Sequence, residues 1–270
     1  MSHPKVSIVI ATFNRREALV KAIASVLSQN YRNIELVIVN DCSTDDTRTY
    51  LESLSNDPRF NIIHNELNSG LQKSLNIGIN EAKGLYIARL DDDDIWTDED
   101  KLNKQVNFLE TNSDFGLVGT AYRIGDEEFA NPESDFEIRK QILFRCPFRH
   151  STVMFRKRLW EECGTYNEDL KYSEDWDLWL KMGMKAKFAN ISDVTVEISE
   201  GDNLTSEYFT KQLPINRKLV KPFYSFYPNG FTARFYHWGL TIFFTVIPVG
   251  SFVHRLFQKV FTKTFSIEKP

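Results

Sequence analysis

Two rhythms of apolar and polar positions alternate along the first part of the chain. Val6-Ser7-Ile8-Val9-Ile10-Ala11 is a short apolar run rich in β-branched residues, which predicts a strand. Residues 17–29 then place Leu19, Ile23, Val26 and Leu27 at helical spacing. The same pair of patterns returns. A run at 34–39 predicts a strand, 44–54 a helix opened by capping-type residues, 60–64 a strand and 71–82 a helix. Leu85-Tyr86-Ile87-Ala88-Arg89-Leu90 predicts a fourth buried strand. Strand and helix in regular alternation imply an α/β fold with a mainly parallel sheet, whose ligands bind at the C-terminal ends of the strands.

Beyond residue 96 the pattern is less regular. Helices are expected at 98–110, 135–144 and 173–184, with a shorter one ending at Cys163. Strands are expected at 116–124, 151–155 and 194–198. Such a mixture would add antiparallel strands and an acceptor-side wall. The expected organisation is a domain over 1–200, divided into halves 1–96 and 97–200, with a helical extension over 201–270. Residues 235–254 contain no Lys, Arg, Asp or Glu. Phe231, Phe235, Tyr236, Trp238, Phe243, Phe244 and Phe252 crowd this stretch, and Arg255, Lys259 and Lys263 follow it. Aromatic residues with basic flanks favour a membrane interface, so membrane-surface contact through 231–263 is expected. Gly239, Pro248 and Gly250 weaken a spanning helix, which needs about 20 apolar residues. A docked hairpin or an apolar patch for a protein partner fits the same composition.

Composition narrows the function. A hydrophobic fraction of 42% supports a substantial core, and the net charge of -4 gives no support to nucleic acid binding. The three cysteines, Cys42, Cys146 and Cys163, are too few and too scattered for a disulfide framework or a zinc site, which suits a reducing cytosol. The first residues lead straight into a strand without the layout of a signal peptide. The chemistry concentrates at Asp91-Asp92-Asp93-Asp94, immediately after the fourth strand. Adjacent carboxylates repel, and burying them is costly unless a cation arrives. A divalent ion such as Mg²⁺ or Mn²⁺, carrying a phosphorylated ligand, meets that need. A solvated acidic turn is the alternative.

The loops after three strands converge at one sheet edge: Thr12-Phe13-Asn14-Arg15, Asn40-Asp41-Cys42-Ser43 and the aspartates. These motifs, with Asn68-Ser69-Gly70 and Tyr172-Ser173-Glu174-Asp175-Trp176-Asp177-Leu178-Trp179, resemble in order and spacing those of the family 2 glycosyltransferases. The resemblance covers about residues 5 to 200. It implies a GT-A fold, which is a Rossmann-like, mixed but mainly parallel sheet flanked by helices. It also implies a nucleotide-sugar donor, a divalent cation (Mn²⁺ or Mg²⁺) and inversion at the anomeric carbon.

By that resemblance Ala11, Thr12, Phe13 and Asn14 would line the nucleotide, and Asp41 would accept a hydrogen bond from the base, suiting uracil or thymine N3–H. Gly70 would let the backbone approach the nucleotide, and Lys73 would help neutralise phosphate. Asp93, with Asp91, would hold the metal, and Asp91 or Asp92 the ribose; four acids in a row leave the register open by one place. Asp175 would be the general base, with Glu174 beside it. His150 and Trp176 would lie on the donor-sugar or acceptor side. Each has a structural alternative: a turn, a cap, a solvated lysine, a core histidine or tryptophan. The expected activity is transfer from a UDP-sugar to a glycan or lipid-linked acceptor in bacterial surface-polysaccharide synthesis, at the inner face of the cytoplasmic membrane. The rivals are a sugar-phosphate nucleotidyltransferase, disfavoured by the absence of glycine in the loop after the first strand, and a catalytically silent glycan-binding or assembly subunit.

Overall fold

The computed structural model describes residues 6–199, 206–246 and 267–268. Its nucleus is a parallel array of β1 (Val6–Thr12), β2 (Ile34–Asn40), β3 (Phe60–His64) and β4 (Tyr86–Arg89), joined through α1 (Arg16–Leu27), α2 (Thr47–Leu54) and α3 (Leu71–Glu81). Strand order is β3-β2-β1-β4. The two-residue periodicity of these strands feeds two cores. Val9, Ala11, Val37 and Ile87 point into one, and Ile8, Ile10, Leu36, Ile38 and Ala88 into the other. Burial on both faces is why the strands are apolar throughout.

The second half continues the same sheet. β5 (Ile95–Trp96) and α4 (Lys101–Thr111) lead to β6 (Phe115–Ile124), which turns through Gly125 and Asp126 into β7 (Glu127–Ala130). After α5 (Asp135–Gln141) comes a tight helical turn at His150–Thr152, then β8 (Met154–Arg156), α6 (Lys157–Cys163), α7 (Glu174–Met182) and β9 (Lys187–Glu197). β8 lies antiparallel between β4 and β6, and β9 runs parallel to β6. A two-residue β10 (Ile267–Glu268) pairs with β7. Among the described residues, two helices follow β9, α8 (Ser206–Val220) and α9 (Gly230–Val246). Leu219, Val220, Phe223, Tyr227 and Ala233 join the first core, so this segment packs on the sheet domain. No described helix is long and apolar enough to cross a membrane. Of the expected interfacial stretch, residues 247–263 lie outside the described residues.

Several expected boundaries are corrected. The strand expected over 151–155 is instead the turn at His150–Thr152 followed by β8, because Thr152 spends its hydroxyl on the local Arg149 carbonyl and Ser151 spends its own on the distant Asp91 backbone. The strand expected at 194–198 begins much earlier, at Lys187. Its turn-forming Asn190 and Asp193 are carried by irregular pairing with β6, where the register shifts around Ala121. The helix expected over 44–54 starts at Thr47, because Asp45 accepts from the Thr47 backbone N–H at 3.0 Å and holds a turn before it.

Candidate active site

The loops after β1 and β2 are stapled to one another. Asn14, in the left-handed region at φ 54°, accepts from the Thr44 backbone N–H at 2.7 Å through its side chain. Its own N–H donates to Ser43 Oγ at 3.0 Å. Asp41 is buried and organises the next loop. Its Oδ1 accepts from Asn65 Nδ2 and from the Ser69 N–H, both at 2.8 Å, and its Oδ2 accepts from the Gly70 N–H at 2.8 Å. Two acceptor sites per oxygen leave Oδ2 with room for one more donor. Gly70 sits at φ 87°, a conformation strained for any residue with a Cβ, and α3 begins immediately after it. Ala11 and Thr12 are buried in the end of β1, whereas Phe13 and Lys73 are exposed.

The four aspartates divide into two pairs. Asp92 and Asp94 turn inward and are buried; Asp91 and Asp93 are half-exposed. Asp94 accepts from Ser151 Oγ and from the Ser199 N–H at 2.9 Å, which ties the acidic loop to two later segments. Burial raises the Asp92 carboxyl to about 6, against the pull of the Arg15 charge, and it raises Asp94 as well. Arg15 reaches across from the β1 loop and bridges Asp92, at 3.3 Å, and Asp93.

Asp91 is held from beneath. Arg89 is completely buried, and its Nη2 donates to Asp91 Oδ1 at 2.7 Å. Its Nη1 serves the carbonyls of Val9 and Leu90, and its Nε donates to His150 Nε2 at 3.2 Å. Tyr166 Oη lies 2.6 Å from the same His150 nitrogen. Burial, reinforced by the Arg89 charge, pushes the His150 imidazole well below its ordinary range. Because the guanidinium can only donate, His150 Nε2 accepts from it, which leaves the ring proton on Nδ1, 3.8 Å from Asp91 Oδ1. His150 thus braces Arg89, and Arg89 holds Asp91.

Across from the acidic loop, α7 opens with Glu174 and Asp175. Ser173 precedes them at φ 62°, in a conformation that costs a non-glycine residue energy, and its Oγ donates to Asn216 Oδ1 of α8 at 2.8 Å. Asp175 Oδ1 accepts from the Trp176 N–H at 2.7 Å, and its Oδ2 is approached by Cys146 Sγ at 3.6 Å. Glu174 Oε2 is 3.5 Å from Gln72 Nε2, so the first turn of α3 meets the first turn of α7. Burial raises the proton affinity of both acids; Asp175 adds to the shift of Glu174, and the Asp91 charge acts on both. Trp176 is placed elsewhere. It is buried, its Nε1 donates to the Ile142 carbonyl at 2.7 Å, and the structure does not bring its ring to the cleft.

Strand ends and α7 thus gather Asp41, Gly70, Asp91, Asp93, Glu174 and Asp175 about one edge of the sheet. The sequence reading overlooked Arg89, Arg15, Tyr166 and Gln72. A charged residue inside a buried strand was the available signal for Arg89. A profile of the glycosyl transferase family 2 matches residues 7–166. The chain belongs to the family 2 glycosyltransferases. It is 31% identical over 235 residues to an uncharacterized glycosyltransferase of Haemophilus influenzae, covering 81% of this chain and 72% of that protein. It is 31% identical over 201 residues to the Escherichia coli UDP-Glc:alpha-D-GlcNAc-diphosphoundecaprenol beta-1,3-glucosyltransferase WfaP, covering 73% of this chain and 78% of WfaP. Against a longer relative from Rickettsia bellii it spans 35% of the length. The mannosyltransferase PcManGT of Pyrobaculum calidifontis, solved with GDP-Man and Mn²⁺, superposes with a TM-score of 0.68 at 16% identity, over 98% of this chain and 81% of that one. That likeness concerns the fold, which is GT-A.

The residues fit a divalent cation in one particular way. Among the described residues, no group of three or more His, Cys, Asp or Glu side chains converges as a metal cage. Asp93 keeps one carboxylate oxygen clear of Arg15, and Asp91 keeps one clear of Arg89. One or two carboxylate oxygens, with phosphate and water completing the shell, is the arrangement that Mg²⁺ accepts.

Proposed function

We propose that this glycosyltransferase moves one sugar from a UDP-sugar, with inversion, to a hydroxyl of a glycan or lipid-linked oligosaccharide in bacterial surface-polysaccharide synthesis, working at the cytoplasmic face of the membrane. One observation carries the reading. The loop that Asp41 holds through the Gly70 N–H leads directly into α3, and Gln72 in the first turn of α3 lies 3.5 Å from Glu174 of the Glu174–Asp175 pair, so the strand-end loops and the pair meet at one place. The name of WfaP favours uridine and a lipid-linked acceptor.

Asp41 would receive the base N3–H on the remaining acceptor site of Oδ2, and the loop it holds would run beside the nucleotide. Asp93, with Asp91, would hold Mn²⁺ or Mg²⁺, which when bound neutralises charge on the departing diphosphate. Asp175 Oδ2 would take the proton from the acceptor hydroxyl as that oxygen bonds to the anomeric carbon. The bond from the anomeric carbon to phosphate breaks on the opposite face, and its electron pair leaves with UDP, so a single displacement inverts the centre. Burial of Asp175 raises its proton affinity and makes it a better base than a solvated carboxylate.

The test pairs two variants. Asp175→Asn should keep the thermal upshift given by UDP with Mn²⁺ and lose transfer by a factor on the order of 10²–10⁴. Asp93→Ala should lose the Mn²⁺-dependent part of the upshift. Unchanged transfer in Asp175→Asn removes Asp175 as base; an unchanged Mn²⁺ effect in Asp93→Ala removes Asp93 as ligand.

A further inference from the structure

Helix α9 has two faces of opposite character. Ala233, His237 and Leu240, at helical spacing, are buried, and His237 Nε2 donates to the Leu143 carbonyl at 2.6 Å. That face fastens the helix to the sheet domain. Phe231, Phe235 and Trp238 repeat the same spacing on another face, where they are 77%, 55% and 53% exposed. Beside this aromatic stripe, α8 and α9 enclose a cleft of about 560 Å³ whose charged lining is Arg217, Lys218, Lys221 and Arg234. A neighbouring cleft of about 370 Å³ is lined by Arg217, Arg234 and the three aromatic rings. Among the described residues, no acidic side chain lines either cleft.

Four cations gathered in one cleft repel one another and favour an anion between them. A small soluble anion would answer the charge and leave the adjoining rings in water. A surface that pairs phosphates with an apolar boundary answers both, since basic residues seek anionic headgroups while Trp and Phe seek the interface. We propose that the α8–α9 cleft and its aromatic stripe form a docking surface for an anionic phospholipid bilayer. Phosphate headgroups sit among Arg217, Lys218, Lys221 and Arg234, and Phe231, Phe235 and Trp238 enter the headgroup region. The position suits the chemistry. Asn216, next to Arg217 on α8, is bonded to Ser173, which immediately precedes Glu174 and Asp175. α8 therefore links the basic cleft to the element that carries the proposed base. This deepens the reading of a lipid-linked acceptor and rests on it for its biological sense, but its test involves no sugar transfer, so the two fail separately.

The full chain reports on its own docking. Of its five tryptophans, Trp96, Trp160, Trp176 and Trp179 are buried, so a change of emission on vesicles comes from Trp238. Phosphatidylcholine vesicles containing phosphatidylglycerol should shift the emission to the blue, and brominated acyl chains should quench it; pure phosphatidylcholine should do neither at the same lipid concentration. Trp238→Phe should still sediment with anionic vesicles and lose the spectral change. The double variant Arg217→Gln/Lys221→Gln, with an unchanged melting temperature, should bind them roughly 30-fold more weakly, at about fivefold per charge. Binding unchanged in the double variant overturns the proposal. So does equal binding to neutral vesicles, or inorganic pyrophosphate binding at the cleft with vesicles ignored, which assigns it to a soluble phosphate. Absence of vesicle binding overturns it too.

Discussion

Replacing Arg89 with methionine tests how the acidic loop is held. The guanidinium is fully buried and makes four kinds of contact: Asp91 Oδ1, the Val9 carbonyl, the Leu90 carbonyl and His150 Nε2. Methionine matches much of its length and none of its donors. Breaking a buried ion pair from one side costs about 3–5 kcal/mol, and each orphaned buried acceptor adds about 1–3 kcal/mol. Asp91 is half-exposed, so water recovers part of that loss. We expect Arg89→Met to destabilise the fold by about 3 kcal/mol in urea unfolding. Asp91→Asn should cost less, about 2 kcal/mol, since the amide oxygen keeps a hydrogen bond while Arg89 loses its counter-charge. The double variant should cost at least ~1 kcal/mol less than the sum, because removing the carboxylate charge no longer strands a buried cation. Proton NMR of His150 adds a second readout. Without the neighbouring Arg89 charge, its titration should move up toward the ordinary imidazole range, while burial still holds it down. An additive double variant, or an Arg89→Met cost under ~1 kcal/mol, refutes the claim that Arg89 anchors Asp91.

Two further outcomes follow from the same reasoning. Asp41→Ala strips acceptors from Asn65, Ser69 and Gly70, so it should cost about 3 kcal/mol and raise hydrogen exchange at the Ser69 and Gly70 amides; unchanged exchange there contradicts the loop-holding role. For pH, burial lifts Asp92 from 3.8 to about 6 in the folded chain, so the native state holds that proton more tightly than the unfolded state. Its effect is a penalty, absent below about 4 and complete above about 6, and worth at most ~3 kcal/mol. The stability of the wild type relative to Asp92→Asn should therefore fall as pH rises through that window, and a difference that stays flat with pH in urea titrations contradicts it.

The parallel half was legible because its strands are buried on both faces and leave an unbroken apolar signature, seen in Val6–Thr12 and Ile34–Asn40. The acids were legible because charge at the end of a buried strand is conspicuous. β9 was hidden by Asn190, Ser192 and Asp193, residues that signal turns and are overruled here by pairing with β6. β7 is four residues long, and half of it is glutamate. The props of the site were hidden for a different reason. Arg89, His150 and Tyr166 meet from separate parts of the chain, and no local pattern announces that a strand arginine, a turn histidine and a loop tyrosine share one hydrogen-bond network.

Those props assign unequal tasks to the two half-exposed aspartates. The partner of Asp91 is sealed in the core, so Asp91 cannot give it up without stranding a buried charge, and its carboxylate stays where Arg89 sets it. The partner of Asp93 is Arg15, whose side chain is 52% exposed and which reaches it from a neighbouring loop. An exposed pair of this kind is worth little, on the order of 1 kcal/mol or less, and parting it strands nothing. Asp93 is thus the carboxylate able to exchange its present cation for an incoming one. Arg15, once released, keeps its positive charge at the rim of the cleft that the proposed diphosphate would occupy. On the proposed reading the acidic run therefore contains a fixed member and an exchangeable one. That division, rather than the number of acids, favours Asp93 as the principal metal ligand.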